Sequence, residues 1–313
     1  MAARSNRLPG DDDPAGSRHR TIFRRLHSCH ADCIDDEWLA PPCRDARGEV
    51  LERPVIWSRR NGPWRRVDLL WTGAAPGNDG GRGTGGRGAH GTRIPFGGDI
   101  AGANLEVLLG SIGLDRNRTF ISAALNELPA AGGGEPTPAE LMAPRGEYRN
   151  SVAVVRDTLV AAGPALVIAL GNVALRVVVA AVRAPADRLP SLDALRGVGW
   201  ERGRTRSLES ETDASFAEAW RVAWQEPPPA VLWLMHPSAQ NMSPYAGRET
   251  VFHRRMIEAR SALQEAVRHH LGWSLPAERP PPPTAGIYAL PEWRERIAPR
   301  NAELDRLWRE KGV

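Results

Sequence analysis

Four short apolar runs constrain the fold of this chain more than any other feature of its sequence. They lie at residues 67–72 (VDLLWT), 118–123 (RTFISA), 165–170 (ALVIAL) and 231–235 (VLWLM). Near-continuous apolar character is typical of strands covered on both faces, as in a parallel sheet. Helical periodicity fills the gaps, at residues 103–112, 151–162 and 173–182. The pattern predicts an α/β domain of three layers, with a short central parallel sheet of about four strands flanked by helices.

The segments outside this pattern have different compositions. Residues 1–20 are polar and rich in Gly, Pro and Asp, which predicts a disordered N-terminus. A proline-rich run predicts a stiff linker over residues 276–291, and apolar spacing predicts a helix over 292–313. The folded body is therefore expected at residues 21–275. The sequence shows neither a membrane-length apolar run nor a secretory signal, so a cytoplasmic location is expected.

The basic residues and the cysteines each leave two interpretations open. The net charge is +4, and Lys311 is the only lysine among 41 basic residues. Arginine suits nucleic-acid phosphates, but a GC-rich genome produces the same preference.

The three cysteines are Cys29, Cys33 and Cys43, an odd number that does not favour a disulfide framework. With neighbouring histidines they suit a zinc site, and the alternative is a set of ordinary buried thiols.

Glycine-rich and histidine-containing loops follow two of the predicted strands. The first strand leads into GAAPG at residues 73–77 and on to PFGGD at 95–99, and the fourth leads into HPS at 236–238. No Gly-Lys-Ser/Thr follows the first strand, so this is not a P-loop. Ligands of parallel sheets bind beyond the carboxyl ends of the strands. Both loops are therefore expected at the functional edge of the sheet.

Taken in order, these segments resemble the uracil-DNA glycosylases of families four and five. The resemblance rests on GAAPG, PFGGD, VIALG at 167–171 and HPS, and it covers roughly residues 66–260. Family five is the closer of the two, because Ala74 replaces a family-four glutamate and Asp99 closes the second segment. Members of these families generally hold a 4Fe–4S cluster on four cysteines. This chain has three cysteines, so a complete cluster is not expected and no cofactor is required.

The resemblance implies a monofunctional glycosylase that hydrolyses the N-glycosidic bond of uracil, or of other deaminated bases such as hypoxanthine, in DNA. His236 is expected to donate to the departing base, and Asp99 to orient or activate water. Phe96 is expected to stack on the base. The alternatives are a structural histidine, a helix-capping Asp99 and a core phenylalanine. The predicted substrate-binding residues are Gly73, Ala74, Ala75, Pro76, Gly77, Phe96, Ala123, Ser238 and Asn241.

The loop after the fourth strand is expected to enter the DNA groove. Met242 or Tyr245 is the candidate wedge that replaces the extruded base, and Arg248 is the candidate phosphate contact. DNA is thus the expected partner of a monomeric protein. Two other interpretations stay open at this stage. One is a relative that binds damaged or single-stranded DNA without cutting it, and the other is an unrelated nucleotide-binding α/β enzyme.

Overall fold

A five-stranded sheet forms the centre of the fold. The computed structural model describes residues 43–44, 50–51, 67–75, 96, 100–114, 120–125, 129, 135–145, 147–183, 188–224, 226–238 and 249–275. β1 (Cys43–Arg44) and β2 (Val50–Leu51) form a separate antiparallel pair. The central sheet contains β3 (Leu69–Gly73), β4 (Phe120–Ala123), β5 (Leu166–Leu170), β6 (Thr205–Ser207) and β7 (Ala230–Leu234). Its strand order is β4-β3-β5-β7-β6.

The four predicted strands are all present and mutually parallel. β3 pairs with β4 and β5, and β5 pairs with β7, in parallel register throughout. The sequence analysis did not predict β6, which adds an antiparallel edge strand beside β7. Its three residues, Thr-Arg-Ser, are half-buried or exposed. They therefore lack the apolar character by which the other strands were found.

Helices cover both faces of this sheet. They are α1 (Ile100–Gly110), α2 (Pro138–Met142), α3 (Ser151–Ala162), α4 (Asn172–Val182), α5 (Leu192–Gly197), α6 (Ala214–Trp224) and α7 (Glu249–Leu271). Local sequence sets where some of them begin. Thr137 and Glu140 form a reciprocal capping box at α2, and the Asn150 side chain accepts from the Ala153 amide at the start of α3. No helix in these described ranges is long and apolar enough to cross a membrane.

Two hydrophobic cores lie on opposite faces of the sheet, which gives the predicted three layers. Alternate strand residues point to opposite faces. Leu70 and Val167 pack against α3, α4 and α6 in one core, whereas Trp71 and Ile168 pack against α1 and α7 in the other. All four of these side chains are fully buried. Coverage on both faces explains why the strands are continuously apolar rather than alternating.

Candidate functional site

The carboxyl ends of the four parallel strands meet at one edge of the sheet. Gly73 at the end of β3 pairs with Ala123 at the end of β4, and Leu170 pairs with Leu234. The pairing continues past the strands, where the Leu125 amide donates to the carbonyl of Ala74 at 2.9 Å. The loops that carry the sequence motifs therefore start side by side.

Phe96 and His236 are in contact at this edge. Their ring centroids are 5.5 Å apart, and the ring planes are tilted by 33°. Both residues are half-buried. The structure thus brings together two of the residues predicted for base stacking and for leaving-group stabilisation, although they come from distant parts of the sequence.

The backbone of Phe96 adopts an uncommon conformation. Its φ is +56°, and among the described residues it is the only non-glycine with a positive φ. A bulky side chain in the left-handed region is strained. Such strain is found preferentially at functional sites, where the surrounding structure maintains it. The contact with His236 is part of that surrounding structure.

Two glycines make room for the two rings. A Cβ atom on Gly73 would lie 3.2 and 3.3 Å from two atoms at the edge of the Phe96 ring. A Cβ atom on Gly171, the residue after β5, would lie 3.3 Å from the Cβ of His236. Gly171 also has φ +88° and ψ 175°, a region that only glycine populates routinely. The absence of a side chain at these two positions allows Phe96 and His236 to approach the strand ends.

A buried hydrogen bond fixes the loop that carries His236. The Asn104 side-chain amide on α1 donates to the carbonyl of Pro237 at 2.8 Å. Asn104 is fully buried, and its Oδ1 has no hydrogen-bond partner among the described residues. The amide of Gly171 donates to the carbonyl of Leu234 at 2.8 Å, at the start of the same loop. One contact holds the loop at Pro237, and the other fixes the end of the strand from which the loop starts.

Sequence reasoning missed Asn104 as a residue of this site. Its signal was an amide within an otherwise apolar helical stretch, one turn before Leu108 on the same face of α1. A buried polar side chain requires a partner, and a loop carbonyl is a common one. The sequence pattern indicated that a partner was needed, but it did not indicate which carbonyl would provide it.

The other predicted substrate-binding residues divide into described and undescribed groups. Ala74, Ala75 and Ser238 are half-buried at the same edge, and Ala123 is buried at the end of β4. Their roles stay predictions. The remaining predicted site residues lie outside the described residues: Pro76, Gly77, Asp99, Asn241, Met242, Tyr245 and Arg248.

The predicted metal site is not described either. Cys29 and Cys33 lie outside the described residues, and only the backbone of Cys43 is described, in β1. In the part of the chain that the structure describes, no group of three or more His, Cys, Asp or Glu residues is arranged to hold a metal. A four-thiolate cluster does not fit this chain, because the sequence contains only three cysteines.

Comparison with known proteins is consistent with this architecture. The chain matches the family model of the Uracil DNA glycosylase superfamily over residues 61–260, which is more than half of its length. That range contains the whole five-stranded sheet and both rings of the site. A search among curated proteins found no match. The match removes the alternative of an unrelated nucleotide-binding enzyme, and the chain belongs to the uracil-DNA glycosylase superfamily.

Proposed function

We propose that this protein is a DNA-repair glycosylase that hydrolyses the N-glycosidic bond of uracil in DNA and leaves an abasic site. Hypoxanthine and other deaminated bases are further candidate substrates. Membership of the superfamily supports glycosylase chemistry. The observation that carries the proposal is the contact between Phe96 and His236 at the carboxyl edge of the sheet. The proposed protein is a cytoplasmic monomer of the family-five type that requires no metal cofactor.

The chemistry requires a base that has left the helical stack. The anomeric carbon is shielded inside a duplex, so the nucleotide must be extruded into a pocket. In our proposal the extruded base stacks on the Phe96 ring. The imidazole of His236, with its centroid 5.5 Å from that ring, then lies within reach of the edge of the base.

The role of His236 is to stabilise charge that develops during bond cleavage. Negative charge accumulates on the base as the glycosidic bond breaks. A donor held at the O2 atom of a pyrimidine stabilises this charge, and its contribution grows as water is excluded. The half-buried position of His236 and the anchoring of its loop by Asn104 support this assignment, because a preorganised donor needs no rearrangement at the moment of reaction.

Asp99 is proposed to orient or activate the attacking water. In the sequence it follows Phe96 by three residues and directly precedes the first residue of α1. Asp99→Asn retains size and hydrogen-bonding capacity but removes the charge. If Asp99 acts on water or on the cationic sugar, single-turnover cleavage should fall by roughly 10²-fold at an unchanged melting temperature. An Asp99→Asn protein with full activity would reduce Asp99 to a helix cap, with Asp79 as the next candidate.

The loop after Ser238 is proposed to contact DNA. Met242 or Tyr245 would enter the space left by the extruded base, and Arg248 would bind a phosphate. This assignment rests on their sequence positions, shortly after the loop that contains His236.

The test of the proposed function is direct. Purified protein is incubated with duplexes containing U:G, U:A or a hypoxanthine pair, and alkali then converts abasic sites into strand breaks. Cleavage of the uracil duplexes, but not of an undamaged control, is the expected result. The His236→Ala variant, purified in the same way, is the control against a contaminating glycosylase. It should lose most of the activity, whereas a contaminant would remain equally active in both preparations.

A relative that binds damaged DNA without cutting it is the second candidate. Ala123, the predicted substrate-binding residue at the end of β4, has a short and buried apolar side chain that offers no hydrogen bond to a base. Ala74 likewise lacks a group that positions water. Binding of uracil-containing or single-stranded DNA without cleavage, in the assay above, would favour this candidate.

A further inference from the structure

A groove of about 320 Å³ lies beside the candidate site, between the turn before β6 and helix α7. The turn that leads into edge strand β6 forms one of its walls. The amide of Gly203 in this turn donates to the carbonyl of Trp233 at 2.8 Å, which holds the turn against β7. The groove is lined by Arg202, Gly203, Arg204, Leu234, Met235, Arg255, Glu258, Ala259, Ala262 and Glu265.

Arg202 and Arg255 line the groove from different segments of the chain. Nη1 of Arg202 is 3.7 Å from Sδ of Met235, the residue that immediately precedes His236. Arg255 lines the groove from α7. Glu258 follows Arg255 by one turn of α7 and pairs with Arg202, whereas Glu265 follows Arg255 by ten residues, or about 15 Å along the helix axis. Three arginines and two glutamates line the groove, so its lining has a net positive charge.

The ion pair inside the groove is weak and can be replaced. Nη2 of Arg202 is 3.7 Å from Oε2 of Glu258, and the two side chains are 41% and 51% exposed. A half-exposed pair at this distance contributes little to stability, because solvent screens it. A phosphate offers the guanidinium a shorter, two-pronged interaction. Arg202 can therefore exchange its partner without disturbing the fold.

We propose that Arg202 and Arg255 bind the phosphodiester backbone of DNA next to the extruded nucleotide. This inference rests on the proposed function, in which the extruded base stacks on Phe96 with His236 at its edge. Arg202 contacts Met235, the residue next to His236, so its guanidinium lies close to the loop at which such a nucleotide and its flanking phosphates would bind. Arg255 comes from α7 and Arg202 from the turn before β6, so the fold assembles this charge from two separate segments.

The salt dependence of DNA binding tests this inference. The affinity of the full chain for an undamaged duplex, and for a duplex with a chemically stable abasic analogue, is measured between 50 and 200 mM NaCl. Each phosphate contact adds about 0.9 to the slope of log affinity against log salt. We expect Arg202→Ala and Arg255→Ala each to lower the slope by about 1, and the double variant by about 2, on both duplexes.

Arg221→Ala is the matched control. Arg221 is an exposed arginine on α6, in the opposite helical layer, and it is paired with Glu218 one turn away. Its substitution should leave the slope at the wild-type value. Slopes for Arg202→Ala and Arg255→Ala that equal those of the wild type or of Arg221→Ala would overturn the inference.

Binding and cleavage are measured separately, so the two proposals can fail independently. A protein that cuts no uracil but shows the expected slopes would contradict the glycosylase and retain the arginine groove. A protein that cuts uracil with unchanged slopes would contradict the groove and retain the glycosylase. Melting temperatures of all variants establish that a change in slope is not a loss of fold.

Discussion

Gly73 and Gly171 lie at the ends of neighbouring strands, and each makes room for one of the two aromatic residues of the candidate site. Gly73 ends β3 beneath the edge of Phe96, and Gly171 follows β5 against the Cβ of His236. The two differ in backbone conformation. Gly73 continues the strand, whereas Gly171 turns with φ +88° and ψ 175°.

This difference separates two reasons for having glycine at a site. At Gly73 only the space above the strand matters, and the nearby atoms belong to the far end of a side chain that can move. At Gly171 both space and backbone conformation require glycine, and the nearby atom is close to the backbone of the His236 loop. The Phe96 side of the site should therefore tolerate change better than the His236 side.

The largest expected effect is that of His236→Ala. Removing a donor that acts as charge develops should lower single-turnover cleavage of a uracil duplex by roughly 10²–10³-fold. DNA affinity should change little, because the ground state does not carry that charge. Single-turnover rates and equilibrium binding on the same duplex measure the two quantities. A purely structural histidine would instead lower the melting temperature and leave the rate of the folded protein intact.

Of the two glycine substitutions, Gly171→Ala should lower the free energy of unfolding more. An alanine in this backbone conformation lowers the free energy of unfolding by about 1–3 kcal/mol. Because its methyl group would also press against the Cβ of His236, we expect a loss near the upper end, about 3 kcal/mol. Denaturant unfolding provides the measurement. A change within the error of that measurement would show that the loop relaxes, and the contrast with Gly73 would be wrong.

Phe96→Ala should reduce cleavage through lost stacking on the base. Aromatic–base stacks are worth about 1–3 kcal/mol, which corresponds to roughly 5- to 150-fold in rate. Phe96→Leu is the control, because it restores apolar volume without an aromatic face. If Leu recovers full activity, or if the folded Ala variant turns over normally, Phe96 belongs to the hydrophobic core rather than to the site.

Gly73→Ala should have the smallest effect. It should raise the activation free energy of cleavage by about 0.5–1 kcal/mol, because the Phe96 ring can move by a few tenths of an ångström. The effect should disappear in a Phe96→Ala background, where the added methyl group meets no ring. A double-mutant cycle on single-turnover rates measures this coupling. An undiminished effect in the Phe96→Ala background would mean that Gly73 acts on something other than the ring.

Much of the fold followed from local sequence patterns. The apolar runs predicted the four parallel strands, because residues buried on both faces leave no polar positions. Helix α3 was predicted from helical periodicity with its observed bounds, Ser151–Ala162. In the structure Asn150 caps its start, and Gly163, with φ +56°, ends it. The edge strand β6 was missed because its short Thr-Arg-Ser segment is stabilised by pairing with β7 rather than by its own burial.

The sequence by itself determined the layered α/β class and the superfamily, since these depend on periodicity and on short motifs, and the same motifs made Phe96 and His236 candidate site residues. Only the tertiary structure decided which residues support the rings. Asn104 and the carbonyl of Pro237 are 133 residues apart along the chain, and Arg202 and Arg255 lie on different elements. Local patterns fix conformation and burial, but contacts between distant residues depend on strand order, register and helix packing, which only the folded chain defines.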